Sequence, residues 1–434
     1  MTKKHKATEE PIPPPPNKPG QCNFWVKRKR RFCHLKAKQS NQYCGEHLVH
    51  QDNLDRKRVP CPFDPSHSVF ESELEKHMES KCNSRPPPPR SCFSKNINVT
   101  LSQSIEEIKP KTLLSSLDKA SLQDIIDKVR RIYTEQLPEL QKEVLDHDAL
   151  KDRLQVVTTG RKHAIQQASL LGHMRKQNLL IPDACFVEFG AGRGELSNYL
   201  HKATANGSQG TYVLIDRKKC RGKFDSAIRG EGGIESTVER IWMDIKDLDL
   251  SCVDTVKGKP IVALSKHLCG AATDLTLKCL MNYYESQKNS GILGIVIALC
   301  CHQVCRYNMY PNQEYLLEIG LTQDEFQLLT SMSSWAICGQ MPKEGEEPDE
   351  HTLECVEAED IQQGQTHYSG LSHEEREKIG RQCKRIFDMG RVTYLQKHGF
   401  DARLVYYVDK DISLENLALV AVPKKSPLDQ STNP

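Results

Sequence analysis

The sequence predicts an α/β fold: a seven-stranded sheet with interleaved helices, preceded by two small zinc fingers and a helical segment. Three observations carry this. Residues 185–195 read CFVEFGAGRGE, a bulky apolar run followed by Gly190, Gly192 and Gly194. Apolar runs of strand length then alternate with helical stretches to the end of the chain. Upstream, cysteines and histidines are grouped at metal-ligand spacings rather than scattered.

The totals set the bounds. At 434 residues, roughly 150 per domain implies two to three domains. A hydrophobic content of 38% and 23 prolines leave room for linkers. No apolar run is long enough for a membrane span, so none is expected. MTKKHKATEEPIPPPP lacks the apolar core of a secretory signal, so an intracellular location, nuclear or cytoplasmic or both, is expected. Seventeen cysteines in such a chain point to metal ligands and buried thiols rather than disulfides. Residues 1–58 hold 14 Lys and Arg against 5 Asp and Glu, a balance of +9, whereas the remainder holds 46 against 52, a balance of −6. A basic head on an acidic body suits a polyanionic partner; a merely solvated basic tail is the plain alternative.

In chain order, residues 1–20 are a proline- and lysine-rich tail that cannot pack a core. Residues 21–50 carry Cys22, Cys33, Cys44 and His47 at spacing C-x10-C-x10-C-x2-H. Three thiolates and an imidazole satisfy tetrahedral Zn²⁺. The segment has too few apolar residues to fold unaided, so metal binding of about 10–16 kcal/mol would have to supply its stability. Between the first two ligands, Lys27 to Arg31 stand beside Phe24 and Trp25, a mixture that suits a nucleic-acid backbone and its bases. A nuclear localisation signal or a solvated loop reads the same residues differently. Residues 58–83 carry Cys61, His67, His77 and Cys82 at C-x5-H-x9-H-x4-C, a second zinc candidate with its third ligand on a helix from Glu71 to His77. It resembles the CHHC fingers of RNA-processing proteins, in which the last gap is x3, and the extra residue leaves the ligand geometry open.

A proline-rich linker is expected over 84–112. From 113 to 160, Leu113, Leu117, Leu122, Ile125, Ile126, Val129 and Ile132 recur at three- and four-residue steps. One or two amphipathic helices follow, which either pack on the next domain or form a short coiled coil. A further helix covers Arg161 to Leu180 and stops at Pro182.

The domain from 161 to 425 begins its sheet at CFVEF, and Glu195 to Leu200 can open the next helix. A strand, a glycine turn and a helix make the first unit of a nucleotide-binding α/β sheet. A dinucleotide fingerprint needs its third glycine at 195, where this chain has Glu195. Glu188 also stands inside the strand end. Both features favour S-adenosylmethionine (SAM) over NAD. Further strands are expected at Thr211–Ile215, ending in Asp216; at Arg240–Met243, ending in Asp244; at Ile261–Leu264, leading into Lys266 and His267; and at Gly294–Leu299. Leu404–Val408 and Leu417–Val422 close the chain as a hairpin, before a short tail over 426–434. Seven strands with a closing hairpin describe the class I, Rossmann-like methyltransferase fold; a plain NAD-binding fold lacks the hairpin. An acidic loop around Glu344 to Glu359 and a helix from His373 to about Gly390 fill the insert before it.

Ligands of a doubly wound sheet lie beyond the carboxyl ends of the strands. Glu188, Gly190, Gly192, Gly194, Asp216 and Asp244 are therefore the expected cofactor residues, with Asp216 on the ribose hydroxyls and Asp244 on an adenine amino group. Methylating an alcohol requires an aligned acceptor and a group to take its proton. Lys266 and His267 are the best-placed candidates, although a core histidine and a phosphate-facing lysine would look the same. His267, Cys269, Cys300, Cys301, His302 and Cys305 are either a third metal site or small residues lining the cofactor pocket. Trp335 stacks on a base or packs.

VEFGAGRGELS, LIDR, SKHLCGAATDLTL, ALCCHQVC, EEREKIGRQCKRIFDMGR and SLENLALVA, following a CCCH and a CHHC finger, together resemble the eukaryotic tRNA 2′-O-methyltransferases of the TRM-thirteen family along nearly the full chain. The resemblance implies SAM-dependent methylation of the ribose 2′-hydroxyl at the fourth nucleotide of the tRNA acceptor stem, on cytidine or adenosine, with the acceptor stem as partner; no membrane partner is expected, since no apolar run is long enough to span one. A protein or small-molecule methyltransferase recruited to RNA, and an RNA-binding adaptor with an inactive methyltransferase fold, are the competing functions.

Overall fold

The computed structural model describes Pro14 and Arg85 together with residues 20–26, 31–38, 41–50, 57–82, 90–101, 112–156, 160–204, 209–220, 223–230, 236–337 and 367–424. Lys27 to Arg30 of the basic run, the acidic loop at 344–359, the C-terminal tail and, apart from Pro14 and Gly20, the N-terminal tail lie outside the described residues. The chain divides into two compact units, 1–89 and 90–434.

In the first unit, β1 (Trp25–Val26) pairs antiparallel with β2 (Arg31–Phe32), and β3 (Arg58–Cys61) with β4 (Asp64–Phe70). A short helix, α1 (Leu74–Lys76), runs into a π-type turn over His77–Lys81. Among the described residues of the first finger, the apolar cluster is limited to the buried Cys22, Cys33 and Cys44, with Phe24, Val26 and Tyr43 against them. Structure this small depends on its ligands.

The second unit contains, in order, α2 (Lys119–Gln136), α3 (Lys151–Val156), α4 (Arg161–Lys176), β5 (Cys185–Phe189), α5 (Glu195–Thr204), β6 (Thr211–Asp216), α6 (Asp225–Arg229), β7 (Thr237–Trp242), β8 (Ile261–Cys269), α7 (Ala271–Ser286), β9 (Ile292–Cys300), α8 (Gln313–Glu318), α9 (Gln323–Met332), α10 (His373–Lys397), β10 (Phe400–Tyr406) and β11 (Leu417–Pro423). The sheet order is β7-β6-β5-β8-β9-β11-β10. The first five strands are parallel, and β11 inserts antiparallel between β9 and β10. This is the class I methyltransferase arrangement.

Both faces of the sheet are buried, as crossover helices require. Alternation along each strand sorts its residues: Val187, Ala263, Ile295 and Leu419 face α7 and the end of α10. Phe186, Val262, Val296 and Ala418 face α4 and α5. A third cluster joins α2, α8, α9 and the first half of α10 through Ile126, Val129, Leu316, Phe326 and Phe387.

Of the two alternatives for 113–160, packing on the next domain is the one observed: the stripe Leu122, Ile125, Ile126, Val129 and Ile132 is buried in this third cluster. Two expectations change. Part of the expected linker is ordered. Asn98 Nδ2 donates to the carbonyls of Ile245 and Leu248 at 2.6 and 2.8 Å, and Ser94 N–H to Asp247. Finally, β8 does not stop at Leu264 but runs to Cys269 through a register shift between Ser265 and Leu268.

Candidate active site and metal centres

The glycine turn is built by close packing. Gly190, Gly192 and Gly194 all take positive φ, at 65°, 47° and 80°. At Gly190 an added Cβ would lie 2.5 Å from the carbonyl oxygen of His267; only glycine lets the end of β5 approach the end of β8 this closely. The turn is then held from the next strands. Asp216 Oδ2 accepts from Gly192 N–H at 2.8 Å, and Oδ1 from Lys218 N–H at 2.8 Å. Each oxygen keeps a second lone pair for an incoming hydroxyl. Arg240, buried, donates to the carbonyl of Gly192 at 2.6 Å and grips Asp225 with two bonds of 3.0 and 2.6 Å.

Glu188 lies beneath the turn. It accepts from Ser197 N–H at 3.1 Å and from the Ser197 hydroxyl. Complete burial pushes its carboxyl up to about 7, against the pull of those bonds and of Arg240. Asp244 caps the turn after β7 by accepting from Lys246 N–H at 3.1 Å, with Arg217 3.9 Å away. Met243 N–H donates to the Asp216 carbonyl, so the two acids stand at adjoining strand ends.

Lys266 and His267 come together at the shift in β8. Lys266 Nζ is 3.0 Å from His267 Nε2 and 2.8 Å from Nδ1 of His163, on α4. Lys266 is only 8% exposed whereas His267 faces solvent. Lys266 Nζ is a donor only, so both rings accept from it at those atoms. Beside it, Glu195 accepts from Arg153 and from Gln167 Nε2 at 3.1 Å. Burial opposes ionisation of Glu195, yet these donors, Arg153 and Lys266 hold its carboxyl below the usual range.

Sequence reasoning missed His163, Gln167, Arg153, Arg240 and Asp225. Each is an ordinary helix or strand residue locally, and only long-range packing brings it to the site. Trp335 belongs to the third core cluster and meets His367 edge-on at 5.9 Å, so it packs.

In the first unit, Cys22, Cys33, Cys44 and His47 bring their ligand atoms within 4.8 Å of one another. His47 Nδ1 is 3.5 Å from Cys22 Sγ and 3.3 Å from Cys44 Sγ, and Cys33 and Cys44 Sγ are 4.0 Å apart. Zinc–sulfur bonds of about 2.3 Å give tetrahedral edges near 3.8 Å, so this set fits Zn²⁺. Phe24 stacks on the His47 ring at 3.9 Å and fixes its plane.

Cys61, His67, His77 and Cys82 form a second such group. Both histidines point Nε2 inward, 3.1 Å apart, and Cys61 and Cys82 Sγ are 3.6 Å apart. The extra residue between His77 and Cys82 is absorbed by the π-type turn: Cys82 N–H donates to the His77 carbonyl at 2.7 Å, five residues back. Asp64 stands 3.7 Å from His67 Nδ1 and orients that ring.

The ALCCHQVC motif divides. Cys269, Cys300 and Cys301 cluster. His302 Nε2 instead pairs with Asp388 at 2.7 Å, and Cys305 Sγ accepts from Arg391 at 3.1 Å. Arg391, fully buried, also binds Asp274 and Asp388, each at 2.8 Å.

A family model described as "Methyltransferase TRM13" matches residues 165–422, "CCCH zinc finger in TRM13 protein" matches 20–48, and "U11-48K-like CHHC zinc finger" matches 58–83. The mouse protein named "tRNA:m(4)X modification enzyme TRM13 homolog" is 36% identical over 93% of this chain and 94% of its own length. The human protein of that name is 34% identical over 98% of this chain and 100% of its own. The Schizosaccharomyces pombe TRM13 enzyme is 40% identical over 84% and 95%. A solved plantazolicin methyltransferase with SAH covers 71% of this chain and 99% of its own at 10% identity and a TM-score of 0.30, too distant to carry an argument.

Proposed function

The chain belongs to the TRM13 methyltransferase family, and from that premise we propose that it transfers a methyl group from SAM to the ribose 2′-hydroxyl of the fourth acceptor-stem nucleotide of tRNA, a cytidine or adenosine. The observation that supports the chemistry is the cluster of His163, Lys266 and His267 against the back of the glycine turn.

SAM, when bound, supplies an electrophilic methyl on a positively charged sulfur. Asp216 orients its ribose through the free lone pairs of a carboxylate already anchored to the turn, and Asp244 accepts from the adenine amino group. Glu188, Gly190, Gly192 and Gly194 shape the turn that receives it. His267, the exposed member of the cluster, takes the hydroxyl proton on Nε2 as the oxygen attacks, and Lys266 Nζ, which donates to that atom at rest, turns from it to the oxygen. Lys266, nearly buried, places its ammonium donor beside the developing oxyanion. The fourth nucleotide lies in a duplex, and an A-form minor groove displays its 2′-hydroxyl, so the base need not be extruded. The finger unit, with its basic flank, supplies sequence-independent affinity for the RNA backbone.

The test is incubation with methyl-labelled SAM and unmodified tRNA, followed by nucleoside analysis. The expected product is a labelled 2′-O-methyl nucleoside from the acceptor stem. Label on a base, on added protein extract, or nowhere would overturn the reading.

A further inference from the structure

We propose that Cys269, Cys300 and Cys301 form a third metal site, which takes Zn²⁺ on three thiolates and leaves the fourth position to solvent. All three Sγ atoms lie within 4.8 Å of one another at the carboxyl ends of β8 and β9.

Two separate backbone irregularities bring them together. The first is the register shift in β8. Ser265 stands opposite Ile297, and that register continued would set Cys269 opposite Cys301; after the shift, Cys269 stands opposite Cys300. A one-residue change of register decides which face a side chain takes, so the shift puts Cys269 and Cys300 on one side.

The second is at Cys301, where the strand has ended and the backbone turns left-handed at φ 52°, ψ 44°. In a continuing strand, Cys300 and Cys301 would point to opposite faces. The left-handed turn, costing about 1–2 kcal/mol in a non-glycine residue, returns the second thiol to the side of the first. Backbone strain of this kind is where functional constraints are found.

The surroundings hold this turn in place. Gly270, at φ 48°, lies so near that a Cβ would be 2.6 Å from the Cys301 carbonyl oxygen. Cys301 N–H donates to Glu415 Oε1 at 3.0 Å, and Glu415 also pairs with Lys384. Glu415 is thus engaged elsewhere and is not the fourth ligand. His302 and Cys305, the remaining donors of the motif, are taken by Asp388 and Arg391. Cys300 is buried whereas Cys269 and Cys301 are half-buried, so an ion can enter from solvent. Soft thiolates favour Zn²⁺ over the oxygen-seeking divalent ions. Once bound, it would staple β8 to the loop after β9, next to Lys266 and His267.

The full-length chain, purified under reducing conditions with Zn²⁺, is assayed for bound metal by mass spectrometry and for free thiols. The expected result is one zinc equivalent beyond those of the two fingers, lost in Cys300→Ser and in Cys301→Ala, and retained in a chain carrying Cys33→Ser and Cys82→Ser. Cys301→Ala, at a half-buried position, keeps the test valid if Cys300→Ser fails to fold. Equal zinc in wild type and in both folded variants overturns the proposal, as does a Cys269–Cys300 disulfide in wild-type protein kept anaerobic and reduced.

Discussion

Glu188 shows what a single residue contributes. A carboxyl lifted by burial from the usual 4.5 to about 7 is neutral below the unfolded value and costs nothing there. Its cost in the folded state grows as pH rises from 4.5 and levels off above about 7, at about 3 kcal/mol. In SAM-free protein, hydrogen-exchange protection of the β5 amides should therefore fall between pH 5 and 7.5. Glu188→Gln, which keeps an acceptor for Ser197, should flatten that profile; parallel profiles for the two proteins would contradict the assignment. For the reacting group, His267→Ala should lower kcat about 10²–10⁴-fold with SAM affinity unchanged by calorimetry. A fall confined to KM would remove His267 from proton transfer. Glu188, Asp216 and the glycines stand out locally because acids and glycines break a strand pattern. His163 does not: it is one of two histidines in a helix buried over most of its length, and only the path of α4 brings it to Lys266.

At the scale of elements, the glycine turn and α10 are each held by a buried arginine. Arg240 binds the Gly192 carbonyl from β7, so Arg240→Met should loosen the turn and weaken SAM binding about tenfold or more, measured by calorimetry. Unchanged affinity would make the arginine a spectator. Arg391 ties α10 to α7 and to the loop after β9 through Asp274, Asp388 and Cys305. Arg391→Met removes the partner of two buried carboxylates, and a loss of about 3–5 kcal/mol in urea unfolding is expected. The periodicity of EEREKIGRQCKRIFDMG announced α10 as a helix, and Ser372 with Glu375 closes a capping box at its start. Its true end at Lys397 was not legible from that motif. Nor was the interior role of its arginine, since a charge on a helix reads as a solvated face until its partners on other elements are known.

For the whole molecule, the proposed function assigns RNA affinity to the finger unit and methyl transfer to the larger unit. Cys33→Ser should release zinc from the first finger and lower tRNA affinity, while SAM affinity stays at the wild-type value. Loss of SAM binding in that variant would show that the units do not act independently. Metal ligands and strand order were legible to different degrees. Cys22, Cys33, Cys44, His47, Cys61, His67, His77 and Cys82 could be picked out because tetrahedral zinc constrains residue type and spacing within one short segment. The π-type turn that accommodates the longer gap before Cys82 is a backbone adjustment and leaves no mark on composition. The sequence by itself determined the α/β alternation, the glycine turn with its acids, the closing hairpin and the two ligand sets, because each is a local pattern of hydrophobicity, flexibility or donor chemistry. Only the tertiary structure decided the insertion of β11 between β9 and β10, the docking of α2, the His163–Lys266–His267 cluster and the partition of the ALCCHQVC motif. These depend on side chains far apart in the chain meeting across a packed interior, and no local pattern encodes which of them meet.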